Sequence, residues 1–335
     1  MPNAAAGSFW KTMSRVPGFA ALVLIGINAG WCQTLPSGIV EVAPGVWFLQ
    51  HTPGQGYCNN VFIEMRDFLI VVDANFPGGA RVAMLDAKRL SPKPVKYVFD
   101  THHHGDHLYG NAVWSQAGAI TLAHAGVLDE IRRYEPEEWR LTAKRRPDVA
   151  DLRLDAPEPP QKTFPDAVYA IDDGTRRVEF RHYGWGHTRG DGFVFLPKEK
   201  ILCTGDAVVN GAYNFTRDAS LANWIKVIAE TQKLDVERVL PGHGPPGGKE
   251  LLEGQKKFFM ELQAQVAKAV QQGRKLKELV TFTDGKASST TIELSKAVSN
   301  WVSSARLPGQ VYDFYSEITS GKPVGELPHN GPAPR

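Results

Sequence analysis

The sequence predicts an α/β fold of short strands with helices between and after them. Three observations carry that expectation. Apolar runs of strand length, bounded by turn residues, recur from Val46 to Leu240, the pattern of half- or fully buried strands. Arg81–Leu90 and Leu221–Leu234 interrupt them with helical periodicity. Several runs end in a glycine-containing loop that carries a histidine or an aspartate, and loops at strand ends are where such sheets gather their sites.

Taken in order, Val46–Gln50, Val61–Met65 and Phe68–Val72 read as strands, the last two joined by the turn Arg66-Asp67. Asp73 closes that hairpin, and Phe76 leads into a short Pro-Gly-Gly loop, Pro77–Gly79. Arg81–Leu90 reads as a helix, Val95–Phe99 as a strand, Ile120–Ala123 as another and Val127–Tyr134 as a helix. From Glu135 to Thr163 the chain is charged and proline-rich, ending in Pro157-Glu158-Pro159-Pro160, without apolar periodicity. Such a long loop is either a lid or a plain connector. Strands resume at Val168–Ile171, Val178–His182, Phe193–Leu196 and Ile201–Cys203, followed by the amphipathic helix Leu221–Leu234 and the run Val239–Leu240. After Pro246 the pattern is helical only: Leu251–Val270, Leu276–Val280, Thr291–Trp301 and Val311–Ile318. Glu326–Arg335, with its prolines, reads as a disordered tail.

The most informative stretch is Thr101–His107, T-H-H-H-G-D-H. Divalent metals such as zinc take nitrogen and carboxylate ligands, and one ion needs several converging. Residues two apart on extended backbone point the same way, so His102 and His104 can hold one ion. If the chain then turns into a helix, Asp106 and His107 swing aside and can hold a second. A solvated histidine cluster is the competing reading, but the stretch follows the apolar run Val95–Phe99 and contains Gly105, which permits a tight bend. Further ligand types stand at other strand ends: His187 in G-H-T-R-G-D, Asp206 in T-G-D and His243 in P-G-H-G.

With these residues in view, the chain resembles the metallo-β-lactamase-fold hydrolase superfamily over roughly Val40 to Leu252. The family pattern is H-x-H-x-D-H, then a histidine, a bridging aspartate and a last histidine, and each element is present in that order. The resemblance implies a four-layer αββα sandwich with the site along one edge. It implies that His102, His104 and His187 hold one ion, that Asp106, His107 and His243 hold the other, and that Asp206 bridges them. It further implies a catalytic domain over 33–252, which the helical pattern follows with a C-terminal extension over 253–325 and the proline-containing tail over 326–335. That extension is read as a packing appendage, or as a substrate-recognition or dimerisation element.

The chain's 335 residues, 42% of them hydrophobic, suffice for one sizeable core. Lys and Arg total 38 against 36 Asp and Glu, and Lys11 and Arg15 are the only charges before Gln33, so the remainder is formally neutral. That balance implies no basic face and weakens a nucleic-acid reading. Lys11 and Arg15 precede an apolar run, Phe19–Ile27, and a small-residue exit. Residues 1–32 therefore read as a signal peptide and the mature chain as exported, periplasmic or secreted, with no stable membrane insertion after processing. Cys58 and Cys203 would remain, too few for a disulfide scaffold. Cys203 reads as a small buried hydrophobe, although an oxidising compartment permits a bridge.

Mechanism follows from the implied ions, zinc first, with iron or manganese also accepted. Two ions sharing Asp206 would hold a water and lower its pKa toward about 7. Asp106 would both bind metal and act catalytically, orienting or deprotonating that water. Asp73 and Thr188 are candidates to orient ligands or, equally, to cap turns, and Trp185, Phe76 and Tyr213 would offer apolar walls to a small-molecule substrate. His51, His103, His124 and His182 match no ligand position and read as structural or solvent-facing. The expected reaction is hydrolysis of a small ester, lactone or amide-like bond. β-Lactam hydrolysis is an alternative, although true β-lactamases of the family usually carry cysteine or serine at the place of Asp206. A glyoxalase II-like thioesterase, an iron-dependent persulfide dioxygenase with a single metal, and a metal-stabilised binding module complete the alternatives. Arg274, Lys275 and Lys277 could meet the carboxylates of glutathione but read better as a solvated helix face.

Overall fold

Strands such as Val46–Leu49, Leu69–Val72 and Phe193–Leu196 are buried at every position, so both of their faces must be covered. The computed structural model, which describes residues Gly38 to Pro328, shows what covers them. A seven-stranded sheet runs in sequence order through β1 (Ile39–Ala43), β2 (Val46–Leu49), β3 (Asn60–Glu64), β4 (Leu69–Val72), β5 (Val95–Asp100), β6 (Ile120–His124) and β7 (Lys162–Phe164). Its first four strands form an antiparallel meander, and β4 to β7 are parallel. Parallel neighbours need crossovers. These are supplied by α1 (Pro77–Leu90), by α2 (Gly105–Leu108) with α3 (Asn111–Gln116), and by α4 (Gly126–Tyr134), α5 (Glu137–Ala143) and α6 (Pro147–Ala150).

The second sheet has the order β12-β11-β10-β9-β8, formed by β8 (Val168–Asp172), β9 (Arg177–Arg181), β10 (Phe193–Leu196), β11 (Ile201–Gly205) and β12 (Arg238–Pro241). Helix α7 (Leu221–Thr231) connects the parallel pair β11 and β12. Period-two alternation then sorts side chains into layers. Ile63, Ile70 and Phe99 of the first sheet meet Phe180, Val194, Ile201 and Cys203 of the second between the sheets. Phe62, Val71 and Val98 face the other way, onto Ala80, Ala83 and Ala87 of α1 and Trp114 of α3. Phe193, Phe195 and Leu202 face Trp224 of α7, and Phe258 and Phe259 of α8 (Glu250–Gln271). The result is the four-layer αββα sandwich the resemblance implied.

The C-terminal region adds α9 (Leu276–Leu279), a hairpin of β13 (Val280–Thr283) and β14 (Lys286–Thr290), and α10 (Leu307–Ser320). The hairpin corrects the expectation of helix alone. Asp284 and Gly285 both have positive φ, +50° and +75°, and an Asp-Gly pair of that kind is the turn that suits a two-residue hairpin loop. The expected helix Thr291–Trp301 is confined to a 3-10 segment, Lys296–Trp301. Pro77–Gly79, expected as loop, is the first turn of α1, where a proline loses nothing because its missing N–H would be unpaired anyway. Glu135–Thr163 is not structureless: Trp139 and Val149 pack against Leu108 and Tyr109 beside the histidine motif. Cys58 and Cys203 are buried and unbridged. The Met1–Cys32 segment and the end of the expected tail lie outside the described residues. No helix among the described residues is long and apolar enough to cross a membrane.

His124 at the end of β6 and His182 just past β9 stack at 3.7 Å between ring centroids, 9° from parallel, joining the two sheets. They are structural rather than solvent-facing. Burial, then repulsion from His182, lowers His124 to about 4, and burial lowers His182 as well. The unfolded chain therefore takes up protons near pH 6.5 while the folded chain resists them, so this pair's contribution is complete above that pH and is lost as pH falls. The drop in melting temperature between pH 7 and pH 5 should accordingly be smaller in His124→Phe than in the parent; an unchanged drop would remove the pair as its source.

Candidate metal centre

The loops at the carboxyl ends of β5, β11 and β12 and the loop between β9 and β10 meet over one edge of the sandwich. Strand β5 delivers Thr101 to that edge, His104 stays extended (φ −60°, ψ 146°) as the cap of α2, and Asp106 and His107 lie on its first turn. The bend is thus made at His104. Gly105 serves closeness rather than unusual torsion, because a Cβ there would approach Tyr109 at 2.8 Å and Phe76 at 2.9 Å. Gly242 does the same for the last loop: its Cβ would fall 2.4 Å from Asp206 Oδ1.

Every expected ligand residue arrives at this edge. Ligand atoms of His102, His104 and His187 lie within 4.8 Å of one another, as do those of Asp106, His107 and His243. Asp206 groups with His102 of the first set and His107 of the second, its Oδ1 standing 3.4 Å from His107 Nε2 and its Oδ2 3.5 Å from His243 Nε2.

Four of the rings are held by the nitrogen that faces outward. His102 Nδ1 meets Thr101 Oγ1 at 3.1 Å, His104 Nε2 meets Asp218 Oδ2 at 2.8 Å, His107 Nδ1 meets Asp73 Oδ2 at 2.9 Å, and His187 Nδ1 meets the Phe215 carbonyl at 2.9 Å. The other nitrogens converge. His102 Nε2, His107 Nε2 and Asp206 Oδ1 are buried with no hydrogen-bond partner among the described residues, and His187 Nε2 stands 3.1 Å from His104 Nδ1. Orphaned buried polar atoms cost about 1–3 kcal/mol each. A divalent cation among them would remove that cost, and the mixed nitrogen and carboxylate donor set fits one.

The electrostatics point the same way. Burial, then repulsion from His107, His104, His187 and His103, holds His102 far below the usual imidazole range. Burial likewise takes His187 to about 4. Both rings are therefore neutral with lone pairs available, as metal ligation requires. At Asp206 burial opposes ionisation, but His243 and His107 outweigh it and hold the carboxyl well below its usual range. His107 is driven upward against burial by Cys58 and by the carboxylates Asp73, Asp106 and Asp206, the mark of an anionic pocket that calls for positive charge.

Among the remaining candidates, Asp73 orients His107, but Thr188 orients none of the expected ligands: its hydroxyl donates to Asp191 Oδ1 at 2.7 Å. Asp191, unforeseen in the sequence, also accepts the His187 amide at 2.6 Å and so fixes that loop. Asp218 was equally invisible, since no periodicity or motif links it to His104 across more than a hundred residues. His103 is buried, stacked on Tyr134 at 5.3 Å, rather than solvent-facing. Phe76 and Tyr213 line a cleft of about 430 Å³ above the cluster. Trp185 does not; its indole donates to the Asp218 carbonyl at 2.8 Å, and Arg189 covers its ring.

The family model of the metallo-beta-lactamase superfamily matches residues 53–243, more than half of the chain. The chain belongs to the metallo-beta-lactamase superfamily. Members of this superfamily are metal-dependent hydrolases, and the cluster described above supports that class of chemistry here. The sandwich is also similar to solved metallo-beta-lactamases. One from Pontibacter korlensis is 22% identical with a TM-score of 0.52, over 66% of this chain and 98% of that one. FIM-1 from Pseudomonas aeruginosa, in its mono-zinc form, is 24% identical with a TM-score of 0.53, over 66% and 94%. An enzyme from Hirschia baltica is 22% identical with a TM-score of 0.52, over 66% and 96%. These likenesses concern the metallo-beta-lactamase fold alone.

Replacing Asp218 by Asn removes the charge behind His104 at nearly constant size. Metal retention in a chelator-competition titration should weaken by about 10–100-fold, the usual effect of losing a ligand's outer partner. Retention equal to the parent's would show that Asp218 does not hold His104 for metal.

Proposed function

We propose that this superfamily member is a hydrolase of a small ester, lactone or amide-like bond that works with two divalent ions, zinc in the first place and iron or manganese as alternatives. The observation that carries the reading is the convergence of two three-residue ligand sets on Asp206 beneath an open cleft. His102, His104 and His187 would hold one ion, Asp106, His107 and His243 the other, with Asp206 shared. Ions held there would supply Lewis acidity toward the scissile carbonyl and acidify a water.

The chain's own residues divide the remaining work. Asp106 is the more exposed of the two cluster carboxylates, its side chain 23% exposed against 10% for Asp206, and its Oδ2 lies 3.0 Å from His243 Nε2. We assign to it the removal of a proton from the attacking water and its return to the leaving group. Phe76 and Tyr213 exclude bulk water and press the substrate's apolar part toward the cluster. β-Lactam hydrolysis is the second reading, favoured by the likeness to solved metallo-beta-lactamases and disfavoured by an aspartate at position 206. We place the enzyme outside the cytoplasm on the strength of the Met1–Cys32 segment.

Because Asp206 is assigned to both ions, Asp206→Ala should lose most of a complement of about two per chain, read by elemental analysis after desalting. Full retention would mean that the shared carboxylate is wrongly assigned. Asp106→Asn keeps the size and an oxygen donor but cannot accept the proton. With circular dichroism unchanged, turnover of a chromogenic ester should fall about 10²-fold or more, and parent-like turnover would end that role.

A further inference from the structure

Three kinds of side chain meet in the cleft. His104, Asp106, Asp206 and His243 of the cluster, the rings of Tyr57, Phe76, Tyr213 and Phe215, and Arg145, Arg146 and Arg306 line it. The exposure of Arg145 and Arg306 puts those two at its edge. Among the described residues the only acidic groups in the lining are Asp106 and Asp206, and both are committed to imidazoles. The positive charge at the mouth is therefore not neutralised from within the cleft.

The three arginines are not equivalent. Arg146 is engaged as a wall: it pairs with Asp148 through Nε and Nη2 at 3.2 Å, donates to the Gln55 carbonyl at 3.1 Å, and lies 3.8 Å over the Phe76 ring. Among the described residues Arg145, just past α5, gives only Nε, to the Leu141 carbonyl at 3.3 Å. Among the described residues no hydrogen bond or ion pair joins the side chain of Arg306, at the start of α10. Both are exposed. Two guanidinium groups thus reach the opening from separate parts of the chain, one from the Glu135–Thr163 insertion and one from the C-terminal region, with their terminal amines unused.

We propose that Arg145 and Arg306 select substrates bearing a carboxylate at the end remote from the scissile bond. A guanidinium offers a planar pair of donors that matches a carboxylate bidentately. A cleft of about 430 Å³ suits a small molecule whose reacting carbonyl sits over the cluster and whose chain crosses the aromatic rings. The insertion and the C-terminal helices are then parts of the specificity apparatus. This inference rests on the hydrolase reading for the words "substrate" and "scissile", but the anion pair itself can be tested without turnover.

The test uses the full chain and two esters of matched length, mono-p-nitrophenyl glutarate and p-nitrophenyl valerate, at neutral pH. It is joined by calorimetric titration of glutarate into chelator-treated protein. The parent should prefer the glutarate ester by about ten-fold or more in kcat/KM, the scale of a charge-assisted contact, with the difference in KM. Arg145→Ala and Arg306→Ala should each remove most of that preference and weaken glutarate binding correspondingly. Lysine at either position should restore part of both. Lys144→Ala, an exposed neighbour outside the cleft, should behave as the parent. Preference or glutarate binding that survives both alanine variants overturns the proposal, as does a parent that binds no glutarate. Valerate ester cleaved without preference sinks the arginine pair and leaves the hydrolase reading standing. Arginine-dependent glutarate binding with neither ester cleaved does the reverse.

Discussion

Asp73 makes the contact on which the site most depends. Its carboxylate accepts the Thr101 amide at 2.8 Å and meets His107 Nδ1 at 2.9 Å, so one buried side chain ties the end of β4 to the start of the metal loop and fixes the face of a ring. The residue sits at φ +68°, a conformation aspartate tolerates better than most because its short polar side chain bonds locally. Without it the Thr101 amide would be buried unpaired, and His107 would be free to turn its inner nitrogen away.

The same device recurs around the cluster with different partners. Thr101, Asp218 and the Phe215 carbonyl each hold an outer ring nitrogen, and the inner atoms are left facing one another. Burial keeps His102 and His187 neutral, while the carboxylates beside His107 make its half of the pocket anionic. Imidazole lone pairs and carboxylates packed together without protons between them are costly in isolation and favourable around a cation. Close backbone approach makes the packing feasible, since Gly205, at φ +50°, would otherwise press a Cβ to within 2.4 Å of Thr101 Oγ1.

The family model ends at residue 243, yet the cleft does not belong to that stretch alone. Trp139 and Val149 anchor the insertion on Leu108 and Tyr109, and Phe258, Phe259 and Phe314 seat α8 and α10 on the second sheet. These apolar contacts carry Arg145 and Arg306 to the opening. The stretch matched by the family model thus carries the cluster and Arg145, and the C-terminal region beyond it adds Arg306 to the cleft lining.

Much of this was legible along the chain. Strand runs such as Leu69–Val72 and Ile201–Cys203 are continuous apolar segments because helix layers and a second sheet cover both faces, and that burial writes itself directly into residue type. The candidate ligands were legible because each ends such a run beside glycine, with His102, His104, Asp106 and His107 close enough for local geometry to act. Signals that a helical bias hid were recoverable in principle, as at Asp284-Gly285. Other features are set by partners far away in sequence. Asp218 reaches His104, Asp191 holds His187, Trp185 turns from the cleft toward the Asp218 carbonyl, and Arg306 comes to the mouth from beyond α8. Sequence by itself determined the strand and helix runs and the candidate ligand residues, because periodicity and strand-end chemistry are local, while the layers came with the family resemblance. Only the tertiary structure decided which carboxylate stands behind which imidazole and which charges edge the cleft, because those pairings depend on how distant loops pack against one another.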